Sequence, residues 1–250
     1  MSKNVLILGA TSDIGIEINK ILAKKNYNFY LVAKNNLELI ENEQLLKRMG
    51  SKNIKIRCSD LAEISLEEKL QIFEDCLSFF NNKIDIIFLN YGYLGNNEIA
   101  EKELLNSFKI ININYTSASQ WALIAGNYME KYDSKFIFLS SVAADIGRRS
   151  NYIYGSSKAG MNILMEGLSN RMIYKESCFI TIKLGMVDTK MLASSEAKKS
   201  FLSADPIKIA KKIIKILNKK NPRSSYYLPF YWLIVMKLIS FFPKKFIYKI

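Results

Sequence analysis

Tyr154 and Lys158 stand four residues apart in the run Tyr154-Gly155-Ser156-Ser157-Lys158. On a helix that spacing puts both side chains on one face. A phenol with a pKa near ~10 is a poor acid–base catalyst at neutral pH until nearby positive charge stabilises its phenolate. Lysine supplies such charge, so the pair can move a proton. In a chain with 14 tyrosines and 36 lysines and arginines, a Tyr-x-x-x-Lys match also arises by chance. Its weight depends on what surrounds it.

The chain has no histidine. That excludes a Ser-His-Asp triad and every His-bearing metal site, and moves acid–base work onto other groups. Cys58, Cys76 and Cys178 are odd in number and widely spaced, without metal-ligand spacing. They read as small buried hydrophobes in a reducing compartment, and no metal is expected.

The apolar run 5–8 ends in Gly9-Ala10-Thr11-Ser12-Asp13-Ile14-Gly15, directly before a helical pattern. Glycines at such a turn let the backbone approach a pyrophosphate, whose charge then rests on the helix N-terminus. An ordinary strand-to-helix turn reads the same way. The second run ends Leu31-Val32-Ala33-Lys34-Asn35. An NAD-preferring protein places an acid there, against the ribose 2′-hydroxyl. None is present, and Lys34 is either a solvated turn residue or the partner of a 2′-phosphate. The missing acid and the lysine together favour NADP(H).

These groups need a frame to hold them. Solid apolar runs at 5–8, 30–33, 54–57, 84–89, 136–139 and 178–184, with 225–228 as a short last one, read as strands. Helical patterns near 14–25, 37–49, 65–79, 101–131, 154–175 and 205–218 alternate with them. Strands that are apolar on both faces predict a parallel sheet covered on both sides, hence an α/β, Rossmann-type, doubly wound fold. The last helix has Asp205 as its N-cap and Pro206 in its first turn. Half of the 250 residues are apolar, which suits a single core. Residues 1–228 are expected to form the NADP(H)-binding catalytic domain and 229–250 a hydrophobic, basic appendage. Met1-Ser2-Lys3-Asn4 runs straight into the apolar residues 5–8, a run too short for a signal-peptide core, so a cytoplasmic protein is expected.

Taken together, the motifs resemble the short-chain dehydrogenase/reductase family. Gly9 and Gly15 match the outer glycines of its Gly-x-x-x-Gly-x-Gly turn, with Asp13 in the middle place. Ser141, twelve residues, Tyr154, three residues and Lys158 match its catalytic spacing. Asn114, in Ile113-Asn114-Tyr115-Thr116-Ser117, matches the asparagine of the helix after the fourth strand. The resemblance spans residues 4 to about 228.

It implies a ketone reductase. Tyr154 protonates the carbonyl oxygen as hydride arrives from the nicotinamide, and Ser141 hydrogen-bonds the same oxygen. Lys158 binds the nicotinamide ribose and lowers the Tyr154 pKa, while Asn114 holds a water in the proton relay. Cofactor contacts are implied for Gly9, Thr11, Ser12, Asp13, Ile14, Gly15 and Lys34, and for Asp60 and Leu61 after the third strand. They are implied also for Asn90, Tyr91 and Gly92 after the fourth, for Tyr154 and Lys158, and for Gly185, Val187 and Thr189. Asp13 is expected to turn outward and cap the first helix. Residues 190–204 would form a mobile substrate lid.

The net charge is +13, and residues 205–250, with eleven Lys and Arg against Asp205 alone, carry +10 of it. Charge so concentrated does not suit a nucleic-acid binder. As a helix, the largely apolar run 230–242 reaches roughly 20 Å, short of the ~30 Å hydrocarbon core of a bilayer. Lys237, Ser240 and Lys244 fall near one face, aromatics cluster at both ends, and Lys244-Lys245 follows. This reads as a helix lying in an anionic membrane surface, which would hold the protein at the inner face of the membrane. An oligomer interface or a flap over the core is the other reading.

Within the family, Gly9-Ala10-Thr11-Ser12-Asp13-Ile14, Asn90-Tyr91-Gly92-Tyr93-Leu94-Gly95 and the tail resemble the polyprenyl-phosphoryl keto-pentose reductases. That implies a lipid-linked 2-keto sugar as substrate and a flavin oxidase as partner. A long-chain keto-lipid reductase of the sphingoid-base type is the alternative enzyme, and a membrane-associated NADP(H)-binding scaffold the alternative outside enzymology. A homo-oligomer is compatible with each.

Overall fold

Val5, Leu6, Ile7 and Leu8 are all fully buried, so this strand has no polar face and needs cover on both sides. The computed structural model describes residues 2–193 and 202–241. Its strands are β1 (Asn4–Leu8), β2 (Asn28–Ala33), β3 (Ile54–Cys58), β4 (Ile86–Leu89), β5 (Lys135–Ser141), β6 (Cys178–Leu184) and β7 (Ser225–Leu228). They form one sheet in the order β3-β2-β1-β4-β5-β6-β7, with every neighbouring pair parallel. The helices are α1 (Asp13–Ala23), α2 (Asn36–Arg48), α3 (Leu66–Phe79), α4 (Asn97–Lys102), α5 (Leu104–Ile111), α6 (Ala118–Met129), α7 (Tyr152–Arg171), α8 (Lys190–Ala193), α9 (Pro206–Leu217) and α10 (Tyr231–Phe241).

Side chains alternate across a strand, and β1 shows the consequence. Val5 and Ile7 join Ile18 and Leu22 of α1, Leu39 of α2 and Ile213 of α9 in one core layer. Leu6 and Leu8 join Ile72 of α3, Trp121 of α6 and Met161 of α7 in the other. The expected doubly wound α/β architecture is therefore the one that forms. The order reverses at β1, whose neighbours β2 and β4 lead away in opposite directions, and ligands of such sheets bind at the carboxyl edge of that switch. Leu8 lies opposite Val32 on one side and Leu89 on the other, so Gly9 and Asn90 emerge side by side there.

The single helix expected near 101–131 is instead broken. Glu103 is extended (φ −111°, ψ 91°) and separates α4 from α5. Residues Asn112–Ser117 then form a π-helical turn before α6. That turn is rich in Asn, Thr and Ser, whose side chains compete with the backbone for hydrogen bonds, and such turns recur at functional sites. The last helix starts as expected: the Asp205 carboxylate accepts from Ile207 N at 2.8 Å.

Candidate active site

At the carboxyl edge of β1, Gly9 has φ +89°, and a Cβ on it would lie 2.7 Å from Tyr91 N. Only glycine lets these two strand ends approach so closely. Asn19 and Asn42, both buried, donate from Nδ2 to the Ala10 carbonyl at 3.3 and 3.0 Å and hold the loop from beneath. The motif reading missed both. The signal was present in Asn19, a polar residue beside Ile18 on the apolar face of α1.

The expectation that Asp13 caps α1 is wrong. Ser12 is the N-cap, its Oγ accepting from Gly15 N at 3.1 Å. Asp13 is the first helical residue, and its Oδ2 accepts from Lys190 N at 2.6 Å. The carboxylate thus points away from the glycine turn and ties it to the start of α8, where Lys190 Nζ also meets Glu38 at 3.2 Å. Thr189 and Val187 lie in the same tethered segment. Val187 bridges to Ala204, and Thr189 Oγ1 donates to Val187 O at 3.2 Å. Of the expected lid at 190–204, residues 194–201 lie outside the described residues.

Tyr91 also turns away. Its phenol meets Ser117 Oγ at 2.7 Å, and Ser117 Oγ donates to Leu61 O at 2.5 Å, so the ring braces the β3 and β4 loops. Burial pushes the phenol pKa well up, against the Ser117 hydrogen bond. Asp60 Oδ1 accepts from Ala62 N at 3.1 Å and shapes the turn after β3. Lys34 is exposed at the end of β2. Asn90 is different. Both side-chain polar atoms are buried without a partner, and Nδ2 lies 3.2 Å from where a Gly15 Cβ would stand. An unsatisfied amide in a glycine-lined cradle at a helix N-terminus fits a dinucleotide.

The catalytic candidates meet next to this cradle. Lys158 is 2% exposed and donates to Leu139 O at 3.2 Å, with its Nζ 4.7 Å from the Phe138 ring centre and 5.8 Å from that of Tyr154. Burial pushes its pKa down to about 7. Burial also pushes the Tyr154 phenol up to about 12, opposed by a hydrogen bond from Ser141 and by the Arg148 guanidinium. The groups that lower the phenol in the protein alone are thus Ser141 and Arg148, and the latter was not foreseen. Ser141 Oγ also accepts from Ala143 N at 3.1 Å, which fixes the turn between β5 and α7. Asn114 sits in the π-helical turn. Its Oδ1 accepts from Tyr93 N at 3.0 Å, and its Nδ2 donates to Tyr93 O at 2.6 Å and Ile110 O at 2.9 Å. One amide hydrogen thus holds the β4 loop at Tyr93 and the other the Ile110 carbonyl of α5, with Gly92 packed against Asn114 Oδ1 and Lys158 Nζ.

Gly185, after β6, lies under the indole of Trp232: a Cβ there would fall within 2.1 Å of two indole atoms. Trp232 and Met236 of α10 are buried with Val142, next to Ser141, and pack on Met186 and Leu202. The inner face of the appendage is therefore a flap over the core beside the site.

The family model described as short chain dehydrogenase matches residues 3–200. The chain belongs to that family. Among the relatives, an uncharacterized oxidoreductase of Streptomyces coelicolor is 27% identical over 68% of this chain and 66% of that protein. The ketoacyl reductase HetN of a Nostoc species is 25% identical over 88% of this chain and 79% of that protein. A short-chain dehydrogenase from Sphingobium yanoikuyae, solved in complex with NADPH, superposes with a TM-score of 0.81 at 17% identity, covering 96% of both chains. An alcohol dehydrogenase from Thermococcus sibiricus, complexed with 5-hydroxy-NADP, gives 0.77 at 18% identity over 91% of this chain and 96% of that one. The protein is an oxidoreductase of the short-chain type.

Proposed function

We propose that the protein uses NADP(H) to reduce the ketone of a lipid-linked 2-keto sugar phosphate at a membrane surface. The observation that carries the reaction type is the Ser141, Tyr154 and Lys158 cluster beside the unpartnered Asn90 amide. When bound, the reduced nicotinamide supplies a hydride to the carbonyl carbon. Tyr154, a neutral phenol at physiological pH whose proton burial holds more firmly still, gives that proton to the carbonyl oxygen. Ser141 hydrogen-bonds that oxygen and then the phenolate. Lys158 would hold the nicotinamide ribose. Asn114 positions the β4 loop against Lys158. Gly9, Thr11, Ser12, Ile14 and Gly15 receive the pyrophosphate, and exposed Lys34 faces the 2′-phosphate. Asp60, Leu61, Asn90, Tyr91, Gly92, Gly185, Val187 and Thr189 line the rest of the cofactor cradle, Tyr91 through its backbone.

The lipid part of the proposal is supported by the outer face of α10, where Ile234, Leu238 and Phe241 are exposed, and by Phe230, exposed just before the helix. The likeness to HetN favours a second reading, a keto-acyl or other long-chain ketone, with the same chemistry at Tyr154. Replacing Tyr154 by Phe removes the proton and leaves packing nearly unchanged. NADPH binding, followed by fluorescence titration, is expected to survive, while ketone reduction falls about a hundredfold to ten-thousandfold. Near-normal turnover in that variant would overturn the assignment.

A further inference from the structure

The loop between β5 and α7 is fixed at both ends. Asp145 receives Lys183 Nζ at 2.5 Å and Tyr227 Oη at 2.9 Å, and Asn97 Nδ2 donates to Arg149 O at 3.2 Å. Asn151 N closes the turn on Arg148 O at 3.1 Å. Within this held loop, Arg148 Nε is buried with no hydrogen-bond partner, and so is Asn151 Oδ1. No carboxylate among the described residues is paired with the Arg148 guanidinium, and Asp145, in the same loop, is already engaged.

A guanidinium cannot relieve burial by losing its proton. An unsatisfied buried donor on a charged group costs free energy, and the fold keeps that cost beside Tyr154. Burial lowers the Arg148 pKa and the neighbouring Tyr154 phenol raises it, so the two groups sense each other. The cofactor's own phosphates do not account for the charge. The pyrophosphate cradle lies at the switch between β1 and β4, and Lys34 ends β2, which is separated from β5 by β1 and β4.

We propose that Arg148 is the anion-binding residue of the substrate site and grips a phosphate carried on the carbon next to the ketone. The proposal rests on the keto-sugar reading of the substrate. In a 2-keto sugar joined to phosphate through its first carbon, the ketone and the phosphate ester sit on adjacent carbons. One ligand can then place its carbonyl oxygen at Tyr154 and its phosphate on the planar fork of Arg148. Asn151, with the second orphaned polar atom, meets a ring hydroxyl of the same sugar. A long-chain keto-lipid whose ketone has no neighbouring anion would leave Arg148 unpaired, so the residue also discriminates between substrate classes.

The test compares one sugar with and without its charge. A pentose 1-phosphate and the matching methyl pentoside are titrated into full-length protein saturated with NADP+, for the wild type, Arg148→Met and Arg148→Lys. The wild type is expected to favour the phosphate about tenfold to a hundredfold. Arg148→Met should erase the preference at unchanged NADPH affinity, which shows an intact fold, and Arg148→Lys should restore part of it. A wild type that does not distinguish the two ligands, or an Arg148→Met protein that still does, overturns the proposal. A keto pentose 1-phosphate supplied with NADPH separates the two readings. Binding that depends on Arg148 without turnover leaves the anion site standing and removes the keto-sugar function.

Discussion

Lys158 combines two demands that oppose each other, since its ammonium must be close to Tyr154 and that position is fully desolvated. The Leu139 carbonyl at 3.2 Å and the Phe138 ring at 4.7 Å compensate only in part, and burial leaves the pKa at about 7 against an ordinary 10.5. The folded lysine therefore sheds its proton above about pH 7 while the unfolded one keeps it up to 10.5. More protons on the unfolded chain means that stability rises with pH across that window. Above pH 9.0 the thiols of Cys76 and Cys178, raised by burial, begin to act in the opposite direction, so the interval from 7 to 9 is the cleanest. Urea unfolding across that interval is expected to show a slope approaching about 1.4 kcal/mol per pH unit from this residue. Lys158→Met should remove this contribution. An identical pH profile in the variant would mean that Lys158 stays charged throughout.

At the scale of elements, what positions Tyr154 is the approach of α7 to the short helical turn Val142–Ala144. Gly155 makes it possible: a Cβ there would stand 2.6 Å from Ala143 O, and backbone cannot yield as a side-chain tip does. Gly155→Ala should lever α7 away from Ser141 and cost about 1–3 kcal/mol of stability, as overpacking does. Turnover should fall by about a hundredfold at nearly unchanged NADPH affinity, because a small misplacement of the acid suffices. Wild-type kinetics in Gly155→Ala would show that the Ser141 contact does not limit the reaction. The strands along the chain, their alternation with helices and the Ser141, Tyr154 and Lys158 set were legible in the sequence because all rest on local pattern: apolar runs, helical spacing and a fixed interval. The break after Lys102 and the π-helical turn were not, since nothing in a continuous helical pattern shows that Asn114 will use its amide on Tyr93 and Ile110. Asp13 misled for a similar reason. A good N-cap residue was visible, but its partner Lys190 is 177 positions away. Arg148 and Trp232 were unreadable because their meaning lies in what they are buried against.

For the molecule as a whole, α10 has two apolar faces with different neighbours. The inner one, with Trp232 and Met236, closes on Val142 and Gly185 beside the site. The outer one leaves Ile234, Leu238 and Phe241 exposed, Phe241 at 87%, with Lys237 exposed alongside and Phe230 exposed just before the helix. No helix among the described residues is long and apolar enough to cross a membrane, and α10, 11 residues long, reaches only about 16 Å. Lys208, Lys211, Lys212 and Lys215 are exposed on α9, and the expected basic pair Lys244-Lys245 lies outside the described residues. On our proposal the outer face lies in an anionic bilayer surface, where each nearby lysine contributes about 1 kcal/mol that salt screens, while the aromatic and aliphatic burial is insensitive to salt. Binding to vesicles containing anionic lipid should therefore weaken with salt without vanishing. Truncation after Leu228 is a poor control, because it also strips Trp232 from Gly185. The better variant changes Phe230, Ile234, Leu238 and Phe241 to serine and leaves the inner face intact. It is expected to lose vesicle binding at every salt concentration and to retain NADPH affinity. Full-length protein that ignores anionic vesicles at low salt would refute membrane docking and leave the outer face of α10 as a contact between copies of the chain.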